Sequence, residues 1–341
     1  MLSHTSSPPG ETSVSVIGAG IAGSWQALAF ARAGYRVTLH ERAASADAMH
    51  SGTSHWAGGM LAPWCEAESS EPVITRLGER GLTLWRDTLP DTPFNGSLVV
   101  AHPRDRADLQ RFAQLTCNHR HLDAAEISDI EPALAGQFRE GLFFTDEGHV
   151  EPRQVLPQLH GMIEQAGGRL AFGSEIGSAD NDNGLVIDCR GLGARASQPE
   201  LRGVKGEMIV VQSDEVKLSR PVRLIHPRWP LYIVPRAGNH FMIGATSIEN
   251  ESEGVTVRSA LELLSAAYAV HPAFAEARIV EIGSALRPAF PDNLPRIDIF
   301  RQRISVNGLY RHGFLLAPAL AELTLAYVAR GAIDNEVMRC A

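Results

Sequence analysis

The chain has few cysteines and no excess of basic residues. It contains 4 cysteines in 341 residues, at positions 65, 117, 189 and 340, and no two of them form a C-x-x-C pair. This spacing excludes a disulfide framework and the usual zinc motifs, so we predict separate thiols and no metal site. The formal net charge of -8 gives no attractive field for a phosphate backbone. We therefore expect small-molecule partners and no nucleic acid.

Long apolar runs are also missing. No run reaches the roughly 18 residues typical of a membrane-spanning helix. The amino-terminal stretch MLSHTSSPPGETS lacks the basic and apolar regions of a signal peptide, and we interpret it as a loose tail. Hydrophobic residues make up 44% and charged residues 21%, which is typical of a globular protein. These features predict a cytoplasmic protein without a membrane span.

The order of the predicted elements indicates an α/β fold with mixed α+β character. SVSVIGAG predicts a strand that ends in glycines, the next 14 residues predict a helix, and RVTLHER predicts a second strand. Such a β-α-β unit makes parallel sheets. From about residue 203, the runs GEMIVVQ, YIVPR and HFMIGAT predict an antiparallel sheet. We expect a discontinuous Rossmann-type domain with an antiparallel-sheet domain inserted into it.

The first turn carries a glycine motif that is typical of dinucleotide binding. Gly18 permits a tight turn, Gly20 lets a diphosphate approach the start of the helix, and Gly23 lets helix and strand pack closely. Glu41, at the end of the second strand, can accept hydrogen bonds from a ribose and would repel a 2′-phosphate, which argues against NADP. The motif itself leaves FAD and NAD open.

A second stretch, GTSHWAGGMLAP, concentrates small residues after the second strand. Thr53, Ser54, Gly58 and Gly59 can bring hydroxyl and amide groups close to phosphates and a ring system, since no large side chains stand in the way. Trp56 and Met60 make this loop too apolar for an ordinary surface loop. We interpret it as a second part of the cofactor site.

These motifs resemble a known family over nearly the whole chain. The resemblance rests on VIGAGIAG, HER, GTSHWAGGMLAP, EGHVEPRQVLPQL, KGEMIVV, YIVPRAGNHFMIGAT, GSALRPAFPDNLPRI and NGLYRHGFLLAPAL. They are similar to the FAD-dependent amino-acid oxidases, which include D-amino-acid oxidase, sarcosine oxidase and glycine oxidase. AGGMLAPWCE and LYIVPR most resemble the glycine oxidase of thiamine biosynthesis.

The resemblance implies two domains and a cofactor site. The FAD-binding domain would comprise residues 13–80, 145–200 and 280–335, and the substrate-binding domain residues 81–144 and 201–279. Sarcosine oxidases attach their flavin to a cysteine where this chain has Ala317, so FAD is expected to bind non-covalently. The expected cofactor contacts are Gly18, Gly20, Ile21, Ala22, Gly23, Glu41, Arg42, Thr53, Ser54, Gly58, Gly59, Met60, Ile176, Gly191, Leu309, Tyr310, Arg311, His312, Gly313, Phe314 and Leu315.

The resemblance also implies a substrate site. Tyr232 and Arg287 would face the substrate carboxylate, with Arg311 close by and Met60 beside the flavin; the first three are the expected catalytic residues. An arginine suits this task because its planar fork matches a carboxylate with two parallel donors. The structural alternative for Arg287 is a salt bridge to Asp292.

The implied reaction is oxidation of glycine to its imine, with O2 as electron acceptor and hydrogen peroxide as product, in thiamine biosynthesis. Sarcosine or a D-amino acid is an alternative substrate, and a quinone or carrier is an alternative acceptor. A non-catalytic FAD-binding partner is the alternative outside enzymes. Relatives often form dimers or tetramers, so a homo-oligomer remains open.

Overall fold

The computed structural model describes residues 12–176, 184–226 and 231–340, and it divides into two compact units. Unit 1 comprises Met1–Ala57, Pro152–Val204 and Leu286–Ala341, and unit 2 comprises Gly58–Glu151 and Lys205–Ala285. The strands, in chain order, are β1 (Ser13–Ile17), β2 (Arg36–Glu41), β3 (Met60–Leu61), β4 (Ser97–Ala101), β5 (Arg120–Asp123), β6 (Glu140–Phe144), β7 (Gly148–His149), β8 (Arg169–Phe172), β9 (Leu185–Asp188), β10 (Arg202–Gln212), β11 (Val222–Ile225), β12 (Leu231–Arg236), β13 (His240–Gly244), β14 (Arg278–Ala289), β15 (Arg296–Phe300), β16 (Arg303–Asn307) and β17 (Met338–Cys340).

Eight α-helices connect these strands within the described residues. They are α1 (Ile21–Arg32), α2 (Pro63–Glu66), α3 (Pro72–Thr88), α4 (Arg106–Leu115), α5 (Ala124–Ile130), α6 (Pro152–Gln165), α7 (Val257–Val270) and α8 (Gly313–Arg330). Short 3-10 turns complete the connections, among them Gly191–Ala194 directly after β9.

Unit 1 is built on a seven-stranded sheet. Its strand order is β17-β15-β16-β9-β1-β2-β8. The five strands from β16 to β8 run parallel to their neighbours, so their carboxyl ends lie along one edge. The order β8-β2-β1-β9-β16 is that of a Rossmann fold, in which ligands bind outside the carboxyl ends where the strand order reverses. That reversal falls between β1 and β9.

Two long helices pack against α1 in unit 1. Both α6 and α8 contact α1, and a buried hydrogen bond of 3.1 Å joins Gln26 of α1 to Thr324 of α8. Among the described helices, α8 alone has the length and apolar composition to cross a membrane, but 56% of it is buried inside the chain. It also contains Glu322 and Arg330. Such burial is usual for a helix in a protein core.

Unit 2 contains an eight-stranded sheet and a two-stranded ladder. The large sheet has the order β14-β10-β13-β12-β11-β4-β6-β5, and its β10–β13, β13–β12 and β12–β11 pairs are antiparallel. Branched and aromatic residues of β10 to β13 form a core with α7, which includes Ile209, Ile233, Phe241 and Leu263. The small ladder pairs β3 with β7.

The structure confirms the predicted fold class, because unit 1 has a Rossmann-type parallel sheet and unit 2 has a largely antiparallel sheet. The β11–β4 pair is parallel, and these two strands are distant in the chain. The structural units differ from the predicted domains at residues 201–204, which cluster in unit 1, at residues 280–285, which cluster in unit 2, and at residues 58–80 and 145–151, which also cluster in unit 2. The β3–β7 ladder joins these two segments.

Candidate active site

The glycine turn between β1 and α1 is shaped by close backbone approach. Gly18 has φ +96°, and a Cβ there would lie 2.8 Å from the carbonyl oxygen of Cys189. A Cβ on Gly23 would lie 1.9 Å from the carbonyl oxygen of Gly18. Side chains are therefore excluded at both positions, and the start of α1 is held tightly against the ends of β1 and β9.

Polar groups from β2 and the following loop converge on this turn. The two oxygens of Glu41 accept hydrogen bonds from the backbone N–H groups of Ala19 (2.9 Å) and Ala43 (3.0 Å). Ser54 Oγ accepts from the N–H of Ile21 at 3.0 Å and lies over Gly20, where a Cβ would approach it to 3.1 Å. Unit 1 thus brings together five of the predicted cofactor residues: Gly18, Gly20, Ile21, Glu41 and Ser54.

A buried histidine supports the same turn and was not predicted from the sequence. His160 of α6 is 4% exposed, and its Nε2 lies 3.1 Å from Ser24 Oγ and 3.2 Å from the carbonyl oxygen of Ala19. Burial lowers the pKa of His160. A neutral ring is therefore favoured. The Ser24 hydroxyl also donates to the carbonyl oxygen of Ala19, at 3.1 Å, so the histidine and the serine contact the same carbonyl group.

Arg287 lies between two tethered carbonyl groups. Thr53 Oγ1 donates to the carbonyl oxygen of Leu286 at 2.8 Å, and the N–H of Tyr310 donates to that of Pro288 at 3.0 Å. The loop with Thr53 and the turn with Tyr310 are both predicted to contact FAD. Unit 1 thus fixes the backbone on each side of Arg287 to both of them.

The alternative role for Arg287 required a salt bridge to Asp292. That carboxylate contacts two other guanidinium groups, at 3.2 Å from Arg296 and 3.8 Å from Arg339. The cation from Arg296 and the N–H of Leu294 hold the pKa of Asp292 below its ordinary value, against the effect of burial. Asp292 therefore already has cationic partners.

The turn before α8 combines an exposed arginine with a buried histidine. Gly308 and Tyr310 both have positive φ, +74° and +49°, which reverses the chain sharply after β16. Arg311 is exposed, and its Nε donates to Nε2 of the buried His312 at 3.3 Å. In this bond Nε2 of His312 is the acceptor. His312 is the N-cap residue of α8 and orients the Arg311 side chain.

The other predicted contacts of unit 1 lie near these groups or on neighbouring elements. Leu309, Phe314 and Leu315 are buried, and Gly313 begins α8. Ala22 is in the first turn of α1, the exposed Arg42 follows β2, and Gly191 follows β9 with φ +55°. Ile176 follows β8, two residues after Ser174, whose N–H donates to the carbonyl oxygen of Glu41 at 2.9 Å.

Unit 2 brings Tyr232 against the predicted loop at Gly58. A Cβ on Gly58 would lie 3.0 Å from Cε2 of the Tyr232 ring. Gly244, opposite Tyr232 in the β12–β13 ladder, also lies against the ring, where a Cβ would approach the hydroxyl to 3.4 Å. The two glycines leave room for the phenol, and a larger residue at either position would displace it.

The loop that contains Gly58, Gly59 and Met60 is held by groups of unit 2. The carbonyl oxygen of Gly59 accepts from the N–H of Val150 at 2.8 Å, and Met60 pairs with His149. Arg236 donates to the carbonyl oxygen of Gly58 at 3.4 Å and forms an ion pair of 2.8 Å with Glu151. Burial and the nearby Arg236 cation lower the pKa of His149 to about 4.

A buried glutamate supports the helix that follows Met60, and it too was missed. Glu147 accepts hydrogen bonds from the N–H groups of Trp64 (3.1 Å) and Cys65 (2.9 Å) at the start of α2. Burial raises its pKa from 4.5 to about 7. Burial also raises the pKa of the Cys65 thiol well above its ordinary value, which keeps this cysteine unreactive.

Comparison with known proteins places the chain in a family. The family model DAO, described as FAD dependent oxidoreductase, matches residues 13–327. A Rhizobium etli protein provisionally named thiamine biosynthesis oxidoreductase ThiO is 52% identical over 308 residues, covering 90% of this chain and 93% of the relative. Glycine oxidase of Geobacillus kaustophilus is 26% identical over 356 residues, covering 93% of each.

A solved structure shares the fold. Glycine oxidase from Bacillus cereus superposes with a TM-score of 0.81 at 19% identity, covering 95% of this chain and 99% of that chain. The superposition covers both units, which contain the parallel sheet of unit 1 and the largely antiparallel sheet of unit 2. The chain belongs to the DAO family of FAD-dependent oxidoreductases, and FAD is its cofactor.

Proposed function

We propose that the protein is a glycine oxidase that serves thiamine biosynthesis. The reaction would convert glycine and O2 to the imine and hydrogen peroxide, and hydrolysis of the imine would give glyoxylate and ammonia. The imine that escapes hydrolysis would supply the thiazole of thiamine. Support comes from the relative named for thiamine biosynthesis and from the glycine oxidases that share sequence and fold.

The residues of unit 1 fit a dinucleotide. The glycine turn from Gly18 to Gly23 leads into the start of α1, whose N–H groups and helix dipole favour a diphosphate. Glu41 lies at the end of β2, where each carboxylate oxygen keeps a second lone pair for a ribose hydroxyl. When bound, FAD supplies the acceptor for the two electrons that leave the substrate. Ala317 has no nucleophile, so we propose non-covalent binding.

The observation that carries the substrate assignment is the double tether around Arg287. The carbonyl groups before and after Arg287 are hydrogen-bonded to predicted cofactor loops, so the backbone that carries the guanidinium group is held in place. We assign Arg287 to the substrate carboxylate, with two parallel hydrogen bonds. Arg311, oriented by His312, adds a second positive charge in unit 1.

Tyr232 and Met60 are the proposed contributions of unit 2. The Tyr232 ring is fixed by the two glycines beside it, and its hydroxyl can donate to a carboxylate oxygen. Met60 lies on β3, whose partner strand is β7. With the carboxylate held in this way, the neutral amine and the Cα–H bond take a single orientation, and this positioning is the main catalytic contribution of the protein. No side chain is required as a base.

Anaerobic reduction of the bound flavin tests the proposal. The holoenzyme is mixed without oxygen with glycine, sarcosine or D-alanine, and the loss of the yellow flavin band is followed; glycine should bleach it with the highest kcat/KM. Admission of air should restore the band within a turnover and release one hydrogen peroxide per glycine. A preference for sarcosine or D-alanine would refute the glycine assignment, and an enzyme that stays reduced in air would be a dehydrogenase.

If none of the three amino acids bleaches the flavin, the non-catalytic alternative would be supported.

We further propose a cytoplasmic location, because the apolar helix α8 is largely buried against α1 and other parts of unit 1. A homo-oligomer is compatible with the proposal, and sedimentation of the holoenzyme measures it directly.

A further inference from the structure

Asn307 lies where two of the predicted cofactor loops leave the sheet of unit 1. It is the last residue of β16 and directly precedes Gly308, the first residue of the turn to α8. The neighbouring strand is β9, which is followed by the turn Gly191–Ala194. Asn307 is 1% exposed, so its side chain amide must find its hydrogen bonds inside the protein.

The side chain of Asn307 bonds to both loops at once. Its Nδ2 donates to the carbonyl oxygen of Gly191 at 3.0 Å and to Oε1 of Gln198 at 2.9 Å. Its Oδ1 accepts from the N–H of Gly308 at 2.9 Å. Two acceptors face the amide nitrogen and one donor faces the oxygen, so the partners define the orientation of the amide.

Gln198 anchors this arrangement to a further strand. Its Nε2 donates to Asp298 of β15 at 2.8 Å, which leaves its Oε1 as the acceptor for Asn307. The backbone N–H of Gln198 donates to the carbonyl oxygen of Ala194 at 2.9 Å, at the end of the turn that Gly191 begins. The hydrogen bonds that link Asp298, Gln198 and Asn307 therefore hold both ends of the 191–198 segment.

We propose that Asn307 is a positioning residue for the FAD site: it fixes the spacing between the Gly191 turn and the turn from Gly308 to Gly313. This inference rests on the proposed assignment of Gly191 and of Leu309–Leu315 to FAD. Because the same amide bonds to both segments, a change at Asn307 shifts them relative to each other.

The test compares Asn307→Asp with wild type in FAD binding. Aspartate has the same shape, but its ionised carboxylate places an oxygen against two acceptors, the Gly191 carbonyl and Gln198 Oε1. We expect the Kd for FAD to rise at least about tenfold, as for the loss of one good hydrogen bond. At saturating FAD, the visible band and the midpoint potential of the bound flavin should also shift.

Protonation offers a rescue. A protonated carboxyl group can donate a hydrogen bond where Nδ2 did, so the Kd of Asn307→Asp for FAD should move toward the wild-type value as pH is lowered from 8 to 5.5.

The matched control is Asn95→Asp in unit 2, where the amide of Asn95 donates to the carbonyl oxygen of Ser219. Its Kd for FAD should stay within about twofold of wild type.

Asn307→Ser is measured in parallel as the milder change, in case the aspartate variant does not fold. An FAD affinity and flavin spectrum equal to wild type in either folded variant would overturn the proposal. These readouts need no amino-acid substrate, so they are independent of the glycine assignment. If wild type binds FAD and glycine fails to bleach it, the proposed function fails while the Asn307 test still stands.

Discussion

Replacement of Glu147 by glutamine should change how the stability of the protein depends on pH. Glu147 is completely buried in unit 2, and its carboxyl group accepts two hydrogen bonds from the start of α2. Burial raises its pKa from 4.5 to about 7, although these hydrogen bonds favour the charged form. The folded chain therefore retains a proton that the unfolded chain releases between these two pH values.

The sign and size of the effect follow from this difference. The stability from this group is fully present below pH 4.5 and is lost as pH rises through about 7. The difference between the two pKa values corresponds to about 3 kcal/mol at 1.36 kcal/mol per pH unit. His149 works in the opposite direction, since its pKa falls from 6.5 to about 4 and its neutral form gains stability as pH rises.

Urea unfolding of the holoenzyme at saturating FAD, at pH values from 5 to 8, measures the effect. His149 is present in both proteins, so the difference between wild type and Glu147→Gln isolates Glu147. Wild type should lose up to about 2.5 kcal/mol more than the variant between pH 5 and 8, because a part of the effect is already lost at pH 5. Parallel pH profiles would refute the reasoning, because they would mean that Glu147 has the same pKa in the folded and unfolded chain.

Three further substitutions test the turn and the substrate residues. Gly23→Ala should lower FAD affinity at least about tenfold in a fluorescence titration, because the new Cβ would lie 1.9 Å from a carbonyl oxygen of the turn. Gly58→Ala should raise the KM for glycine severalfold with unchanged FAD affinity, because its Cβ would lie 3.0 Å from the Tyr232 ring. Arg287→Ala should raise this KM by roughly 10- to 100-fold, since a charge-assisted hydrogen bond contributes about 1.5–3 kcal/mol.

Two of these substitutions have a control variant. Gly161→Ala is a helical glycine of unit 1 with open space around its Cβ position, so its FAD affinity should equal that of wild type. Arg287→Lys keeps the charge without the planar fork and should give an intermediate KM. A KM unaffected by Gly58→Ala would argue against a role of Tyr232 in substrate binding, and unchanged glycine affinity in Arg287→Ala would remove Arg287 from the site.

The parts of the fold that sequence predicts well are those set by neighbouring residues. The strand, glycine turn and helix around Gly18 depend on side-chain volume and φ within one short stretch, and the structure shows the steric reason at Gly18 and Gly23. Glu41 was also predicted at the end of β2, where it now bonds to the glycine turn. Its link to Ala19 follows from the register of two adjacent parallel strands.

The supporting groups could not be predicted because their partners are distant in the chain. His160 is 136 residues from Ser24, and Asn307 is 116 residues from Gly191. Glu147 reaches Trp64 across 83 residues. A histidine in a helix, an asparagine before a glycine and a glutamate in a loop have no distinctive local pattern. Their roles arise from burial, which makes an unpaired polar group costly and so fixes its partner.

The tethers around Arg287 also explain why two arginines of unit 1 should differ in importance. The carbonyl groups on each side of Arg287 accept hydrogen bonds from segments that are more than 20 residues away in the sequence, so its backbone cannot move independently of either predicted cofactor loop. The Arg311 side chain is exposed, and one of its donors is already occupied by His312. A substrate carboxylate bound by Arg287 therefore requires less ordering of the protein, and less ordering means tighter binding. On this physical ground we expect Arg287 to be the primary carboxylate ligand and Arg311 to contribute mainly through its charge.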